Sequence, residues 1–230
     1  MTDFQVFIGW DPRENDAFEV ARASILEYAP DVQVTPIVRS ELEDSGLYDR
    51  HHDTLGTSEF TITRFFVPYL SRYEGLSLFM DCDILCTTDI REILKEVNPE
   101  NAVSCVQHDY TPKTTVKMDG QSQHNYPRKN WSSVMVFNNA KCKILTPDIV
   151  NSATPKYLHR MYWASSIGKL SHTWNYLAGY YDDIELPNII HYTDGGPWFK
   201  GYEHCDFANE WINFYEKINI SSKSGRKSQQ

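Results

Sequence analysis

Apolar residues along this chain fall into short runs closed by Gly, Pro or Asp, and between the runs they recur at helical spacing. Phe4-Gln5-Val6-Phe7-Ile8, ended by Gly9, reads as a strand. Asp11-Pro12-Arg13-Glu14 then reads as a helix start, with Asp at the N-cap, Pro at N1 and Glu at N3. Phe18, Ala21, Ile25 and Tyr28 share one face of the helix that follows, and Pro30-Asp31 stops it before the strand-like Val32-Gln33-Val34-Thr35. The chain opens as a β-α-β unit.

Residues 40–57 are polar and irregular, with Gly46 and Gly56. The apolar-rich stretch 60–70 predicts a helix with Arg64 in its middle. Leu76-Ser77-Leu78-Phe79-Met80 has the pattern of a buried strand and delivers Asp81 and Asp83 at its C-terminal end, while Thr88-Asp89-Ile90-Arg91-Glu92 starts another capped helix. Residues 102–106 and 134–137 predict two more strands, separated by a polar insertion over 108–131 that is too long for a simple turn. The last apolar run, Ile189-Ile190-His191-Tyr192, opens into Thr193-Asp194-Gly195-Gly196-Pro197-Trp198. Beyond it the Ser- and Lys-rich end loses apolar periodicity and reads as a disordered basic tail. The expectation is therefore one domain over residues 1–217 and a tail over 218–230. Alternating strands and helices predict an α/β fold whose mainly parallel sheet has covered faces, with ligands at the carboxyl ends of its strands.

Composition refines this picture at three points. Fourteen Tyr and six Trp supply rings suited to stacking on bases or sugars. A net charge of −9 argues against a surface that coats nucleic acid generally, because neutralising phosphates takes clustered cations. Cys82, Cys86, Cys105, Cys142 and Cys205 are odd in number and form no Cys-x-x-Cys pair, so neither a disulfide framework nor a zinc site is expected and a reducing cytoplasm fits. No leader-like pattern and no apolar span of about 20 residues occurs, so no membrane anchor is expected.

The chemistry centres on Asp81-Cys82-Asp83. Residues i and i+2 of an extended chain point to one side, so both carboxylates can face one hard cation such as Mn²⁺ or Mg²⁺ bridging a diphosphate. Alone, the pattern is equally that of a solvated or capping turn. His191 adds an imidazole, a good further ligand for Mn²⁺, at a late strand end, and Gly195-Gly196 lets backbone amides approach a phosphate closely.

The ordered set Gly9-Trp10-Asp11, Thr63-Arg64-Phe65, Phe79-Met80-Asp81-Cys82-Asp83-Ile84, Val134-Met135-Val136-Phe137-Asn138, Leu170-Ser171-His172-Thr173-Trp174-Asn175-Tyr176 and Ile190-His191-Tyr192-Thr193-Asp194-Gly195-Gly196-Pro197-Trp198 resembles glycosyltransferase family 8 and its bacterial and phage relatives over about residues 4 to 215. The resemblance implies the GT-A fold, a Rossmann-like nucleotide-diphospho-sugar transferase with a single mixed, mainly parallel sheet flanked by helices. It also implies a nucleotide-sugar donor, a UDP-sugar first, with Mn²⁺ and transfer with retention of anomeric configuration. Asp81, Asp83 and His191 are then the metal ligands. Gly9, Trp10, Asp11, Arg64, Asp81, Cys82, Lys129, Gly195, Gly196 and Trp198 are the expected donor-binding set.

Two departures from the family matter. Trp131 stands where the family's Asn precedes Val134-Met135, so Asn130 is the substitute one position earlier, and Lys129 or Arg128 offers positive charge. Met161-Tyr162-Trp163-Ala164-Ser165-Ser166 carries no counterpart of the family's Asp-Gln, which leaves front-face displacement without an enzyme nucleophile. Gln107, His108, Asp109 and Asn130 are the candidates to orient the sugar. The expected acceptor is a glycan or lipid-linked glycan, with a modified base in DNA as an alternative if Arg128 and Lys129 form a basic groove. Readings from other classes are a non-catalytic sugar-nucleotide or carbohydrate binder and a haloacid dehalogenase-type phosphatase. The second is disfavoured because that class carries its Asp-x-Asp on the first strand.

Overall fold

A computed structural model describes residues 4–50, 58–109 and 127–227 of the chain. β1 (Phe4–Gly9) leads through a 3-10 turn over Pro12–Glu14 into α1 (Asn15–Tyr28), followed by β2 (Val34–Ile37) and α2 (Arg39–Asp44). The Asp11 carboxylate accepts from Arg13 N, so the cap read from the sequence forms, but it opens the 3-10 turn that precedes α1. Residues 60–70 do not make one helix. A 3-10 turn over Thr63–Phe66 passes into the single α-turn α3 (Val67–Leu70). The reason is Pro68: an α-helix needs its N–H for the Arg64 carbonyl, and Pro has none, so Val67 N–H takes that carbonyl in 3-10 fashion.

β3 (Leu76–Met80), β4 (Ile84–Cys86), β5 (Val103–Val106) and β6 (Val134–Asn138) come next, with a 3-10 segment over Ile90–Glu96 capped by Asp89. The chain continues through α4 (Pro147–Ser152), α5 (Pro155–His159), β7 (Ile167–Leu170), β8 (Tyr176–Leu177), β9 (Ile189–His191) and α6 (Ala208–Lys227). The main sheet has the order β2-β1-β3-β6-β5-β7. Only β6 runs against its neighbours, so the C-terminal ends of the other five strands share one edge. In β3, Leu78, Phe79 and Met80 are fully buried, which is why the strand reads as a continuous apolar run.

A second sheet, β4-β9-β8, is absent from the sequence reading because β4 and β8 are too short to show a period. Helix α1 lies between the two sheets. Phe18, Ala21 and Ile25 join the main core, while Val20 joins Leu85, Ile190, Tyr192 and Trp211 in a smaller one. Ser24 Oγ accepts from Cys86 N at 3.0 Å and so pins β4 to α1. Tyr28, assigned by spacing to the buried face, is exposed instead, while Ala29 beside it is buried in the main core.

Helix α6 packs Trp211, Phe214, Tyr215 and Ile218 against this second core and carries helical backbone to Lys227, past the boundary at 217 where a disordered tail was expected. Packing of its first turns supplies the nucleus, after which extension through polar residues costs little. Among the described residues no helix is long and apolar enough to cross a membrane.

Candidate metal and donor site

The segment 81–83 carries the chain from one sheet to the other. Asp81 N donates to Ser133 O at 2.9 Å, continuing the β3 and β6 ladder, and Tyr192 N donates to Asp83 O at 2.9 Å, anticipating the pairing of Ile84 with His191. Extended geometry turns Asp81 and Asp83 to one side and Cys82 into the core. Burial pushes the Cys82 thiol well above its usual range, and the residue as a whole has no exposed surface. The β4–β9 register then brings His191 Nε2 to 3.4 Å from Asp83 Oδ2, and one ligand atom each from Asp81, Asp83 and His191 lie within 4.8 Å of one another.

Asp81 has a fixed counter-charge. Arg64 Nη1 sits 2.7 Å from Asp81 Oδ1 and also donates to Ser132 O at 2.8 Å. Its Nε is shared between the carbonyls of Phe60 and Thr61, both at 3.1 Å, and its guanidinium lies against the rings of Phe60 and Phe79. Arg64 is 5 % exposed. Its place is thus beside Asp81, with its contacts directed at backbone and ring.

Two carboxylates and an imidazole nitrogen gather in a largely buried corner beside the Arg64 guanidinium. Oxygen and imidazole donors of this kind fit Mn²⁺ or Mg²⁺.

The remaining expected residues divide by position. Gly9 ends β1 on the same sheet edge, but a Cβ there would meet the Phe60 ring at 2.3 Å, so packing alone demands glycine. Trp10 Nε1 donates to Asn15 Oδ1, and Asp11 is fully buried. Burial raises the Asp11 pKa, yet the hydrogen bonds from the Arg13 side chain and from Arg13 and Glu59 N–H outweigh it and hold the carboxyl below its ordinary range. Asp11 therefore organises the Arg13 and Glu59 backbone at this edge. Gly195 has φ 139°, and a Cβ on Gly196 would meet the Trp198 ring at 1.9 Å. Trp198 itself packs among Tyr192, Phe199 and Trp211 in the second core.

Gln107, His108 and Asp109 follow β5 on the strand-end edge. His108 is buried, bonded through Nδ1 to Tyr181 Oη at 2.8 Å, and burial pushes its pKa down to about 3. Lys129 is buried, and Arg128 folds onto the Trp131 and Tyr162 rings and the Arg160 carbonyl, so the basic groove required for a DNA acceptor is not formed by this pair. Asn130, left-handed at φ 60°, donates its amide to Thr193 Oγ1 at 2.8 Å. Most of the polar insertion lies outside the described residues.

Sequence reading missed Asn175, Ser132, Ser133 and His159. Asn175 is fully buried and lies 2.8 Å from His191 Nδ1. Its signal was an Asn directly ahead of an apolar pair, a place where a buried amide needs partners. His159 bonds through Nδ1 to Ser132 Oγ at 2.8 Å behind Arg64, and burial pushes its pKa down to about 3.

No family model matches the chain. Among curated proteins it is similar to Protein CDI of Arabidopsis thaliana, at 44% identity over 230 residues that cover 96% of this chain and 89% of that protein. Among solved structures it is similar to the glycosyltransferase GlyE of Streptococcus pneumoniae TIGR4, with a TM-score of 0.62 and 17% identity over 94% of this chain. The chain spans 60% of the length of GlyE. It is also similar to the galactosyltransferase LgtC, solved with donor and acceptor sugar analogues, with a TM-score of 0.60 and 11% identity over 93% of this chain and 95% of LgtC. The mixed six-stranded sheet flanked by helices is the GT-A fold.

Proposed function

We propose that this chain, which belongs to the family of Protein CDI of Arabidopsis thaliana, is a metal-dependent glycosyltransferase that passes a sugar from a nucleotide-sugar donor to a glycan hydroxyl. The observation that carries the reading is the convergence of Asp81, Asp83 and His191 at the strand-end edge of a GT-A sheet. Asp83 and His191 would hold the cation, Mn²⁺ in the first instance, with Asp81 between it and Arg64. Once bound, a divalent cation supplies Lewis-acid charge for the departing diphosphate.

Gly9, Trp10 and the Gly195-Gly196 turn border the donor, a UDP-sugar in our reading, within one transferase unit that includes α6. Retention by front-face displacement is favoured by the lack of any carboxylate in residues 161–166. In that step the acceptor oxygen bonds to the anomeric carbon as the bond to the diphosphate breaks, and the acceptor proton passes to the leaving diphosphate oxygen. Five unbridged thiols fit a reducing cytoplasm. The haloacid dehalogenase alternative finds no support, since Asp81 and Asp83 follow the third strand.

Thermal-shift measurements with UDP-, GDP- and ADP-sugars, with and without Mn²⁺, test the reading together with donor hydrolysis. Selective stabilisation that requires Mn²⁺, with slow release of sugar, is expected. Binding without hydrolysis or transfer to any glycan acceptor would return the chain to a non-catalytic sugar-nucleotide binder.

A further inference from the structure

Asn175 closes a ring of hydrogen bonds around His191. It ends the 3-10 turn over His172–Asn175, immediately before β8, which pairs with β9. Its amide oxygen lies 2.8 Å from His191 Nδ1, and its amide nitrogen lies 3.1 Å from Asn130 O and 3.0 Å from Ser133 Oγ. Asn130 completes the ring by donating to Thr193 Oγ1 at 2.8 Å, two residues beyond His191.

The hydrogens in this ring follow from the chemistry of its members. The Asn130 carbonyl only accepts. Ser133 has a single hydroxyl hydrogen, and it is spent on that same carbonyl at 2.6 Å, so Ser133 Oγ offers Asn175 a lone pair. Both neighbours of Asn175 on that side are therefore acceptors, which turns its NH₂ toward them and its oxygen toward His191. Facing that oxygen, His191 Nδ1 carries the hydrogen. Nε2 keeps the lone pair, and Nε2 is the nitrogen beside Asp83.

We infer that Asn175 is a positioning residue that holds His191 as the Nδ1–H tautomer and thereby keeps Nε2 available as a ligand for a divalent cation. The inference rests on reading Asp81, Asp83 and His191 as a metal site. Asp83 makes the assignment consequential, because a hydrogen on Nε2 would find the carboxylate 3.4 Å away. That tautomer pairs His191 with Asp83 directly and removes the lone pair a cation needs. Asn175 is 0 % exposed, so water does not compete for its amide.

Long-range ¹H–¹⁵N correlation spectra of the metal-free protein, with imidazoles neutral, read the tautomer directly, and Mn²⁺ titration followed by electron paramagnetic resonance of the free ion reads the affinity. Wild-type His191 is expected to show a protonated Nδ1. In Asn175→Leu the hydrogen moves to Nε2 and Mn²⁺ affinity falls about 10- to 100-fold. Asn175→Asp, whose carboxylate still accepts from Nδ1 while Ser133 redirects its hydroxyl, restores the Nδ1–H signal. A wild-type spectrum with Nε2 protonated overturns the inference, as does an Asn175→Leu variant with unchanged tautomer and affinity. A wild type that shows Nδ1–H and binds no Mn²⁺ supports the tautomer assignment and overturns the metal reading instead.

Discussion

Arg64 Nη1 and Asp81 Oδ1 lie 2.7 Å apart, and this pair decides what each residue is free to do. Three backbone carbonyls and two aromatic rings fix the guanidinium, so Asp81 is presented in one orientation with its charge already half answered. Removing Arg64 takes this counter-charge from a largely buried carboxylate. Arg64→Met is expected to lower stability by about 3–5 kcal/mol, while Arg64→Met combined with Asp81→Asn loses less. Urea midpoints of the three proteins check this, and a single variant as stable as the wild type would remove Arg64 from its counter-charge role.

Gly9 and Gly196 make a second prediction, because each is demanded by a ring. A Cβ on Gly9 collides with Phe60, whose ring also supports Arg64, and a Cβ on Gly196 collides with Trp198. Gly9→Ala and Gly196→Ala are each expected to cost about 1–3 kcal/mol from overpacking. Pairing Gly9→Ala with Phe60→Leu should recover part of the loss. Thermal unfolding of the wild type, Gly196→Ala, Gly9→Ala, Phe60→Leu and the Gly9→Ala/Phe60→Leu double variant decides it, and additive losses in the last three would mean that the ring is not the obstacle.

How much of this was legible beforehand depended on length of signal. β1, β3, β5 and β6 were readable because each buries a run of apolar residues, and Asp81, Asp83 and His191 because each stands at the end of such a run. β4 and β8 were not, since three and two residues show no period, yet β4 is what carries Asp83 to His191. Asn175 was quoted within a motif and given no role, because a buried amide has no periodicity and its partners come from residues 130, 133 and 191. Gly195-Gly196 reads in the sequence as a place where a phosphate can approach, and Gly9 as a donor-pocket residue; what lies against Gly9 and Gly196 in the fold is the chain's own Phe60 and Trp198 rings.

Two histidines predict an acid limb of stability. Burial holds His108 and His159 at about 3, against an ordinary value of 6.5. Between those values the unfolded chain binds a proton that the folded chain does not, so stability rises with pH across the window and is lost as pH falls from about 6.5 toward 3. Each histidine contributes at most about 1.4 kcal/mol per pH unit to that slope. His108→Gln should flatten the dependence of the urea midpoint between pH 4 and 6, even if it lowers the plateau at pH 7 by breaking the bond to Tyr181. An unchanged slope would mean that His108 titrates normally in the folded protein.

Asp83 offers the sharpest separation of donor binding from folding. Its backbone carbonyl accepts from Tyr192 N and survives truncation, whereas its carboxylate faces the Asp81 and His191 ligand atoms. Asp83→Ala therefore removes negative charge from a crowded corner while leaving the strand hand-over intact. Its metal-free melting temperature is expected to match or exceed that of the wild type, as is common where function gathers like charges. The Mn²⁺-dependent stabilisation by a sugar nucleotide should disappear in the same protein. A variant that keeps this metal-dependent shift would show that the donor is held elsewhere, and the cluster at the junction of the two sheets would lose its role.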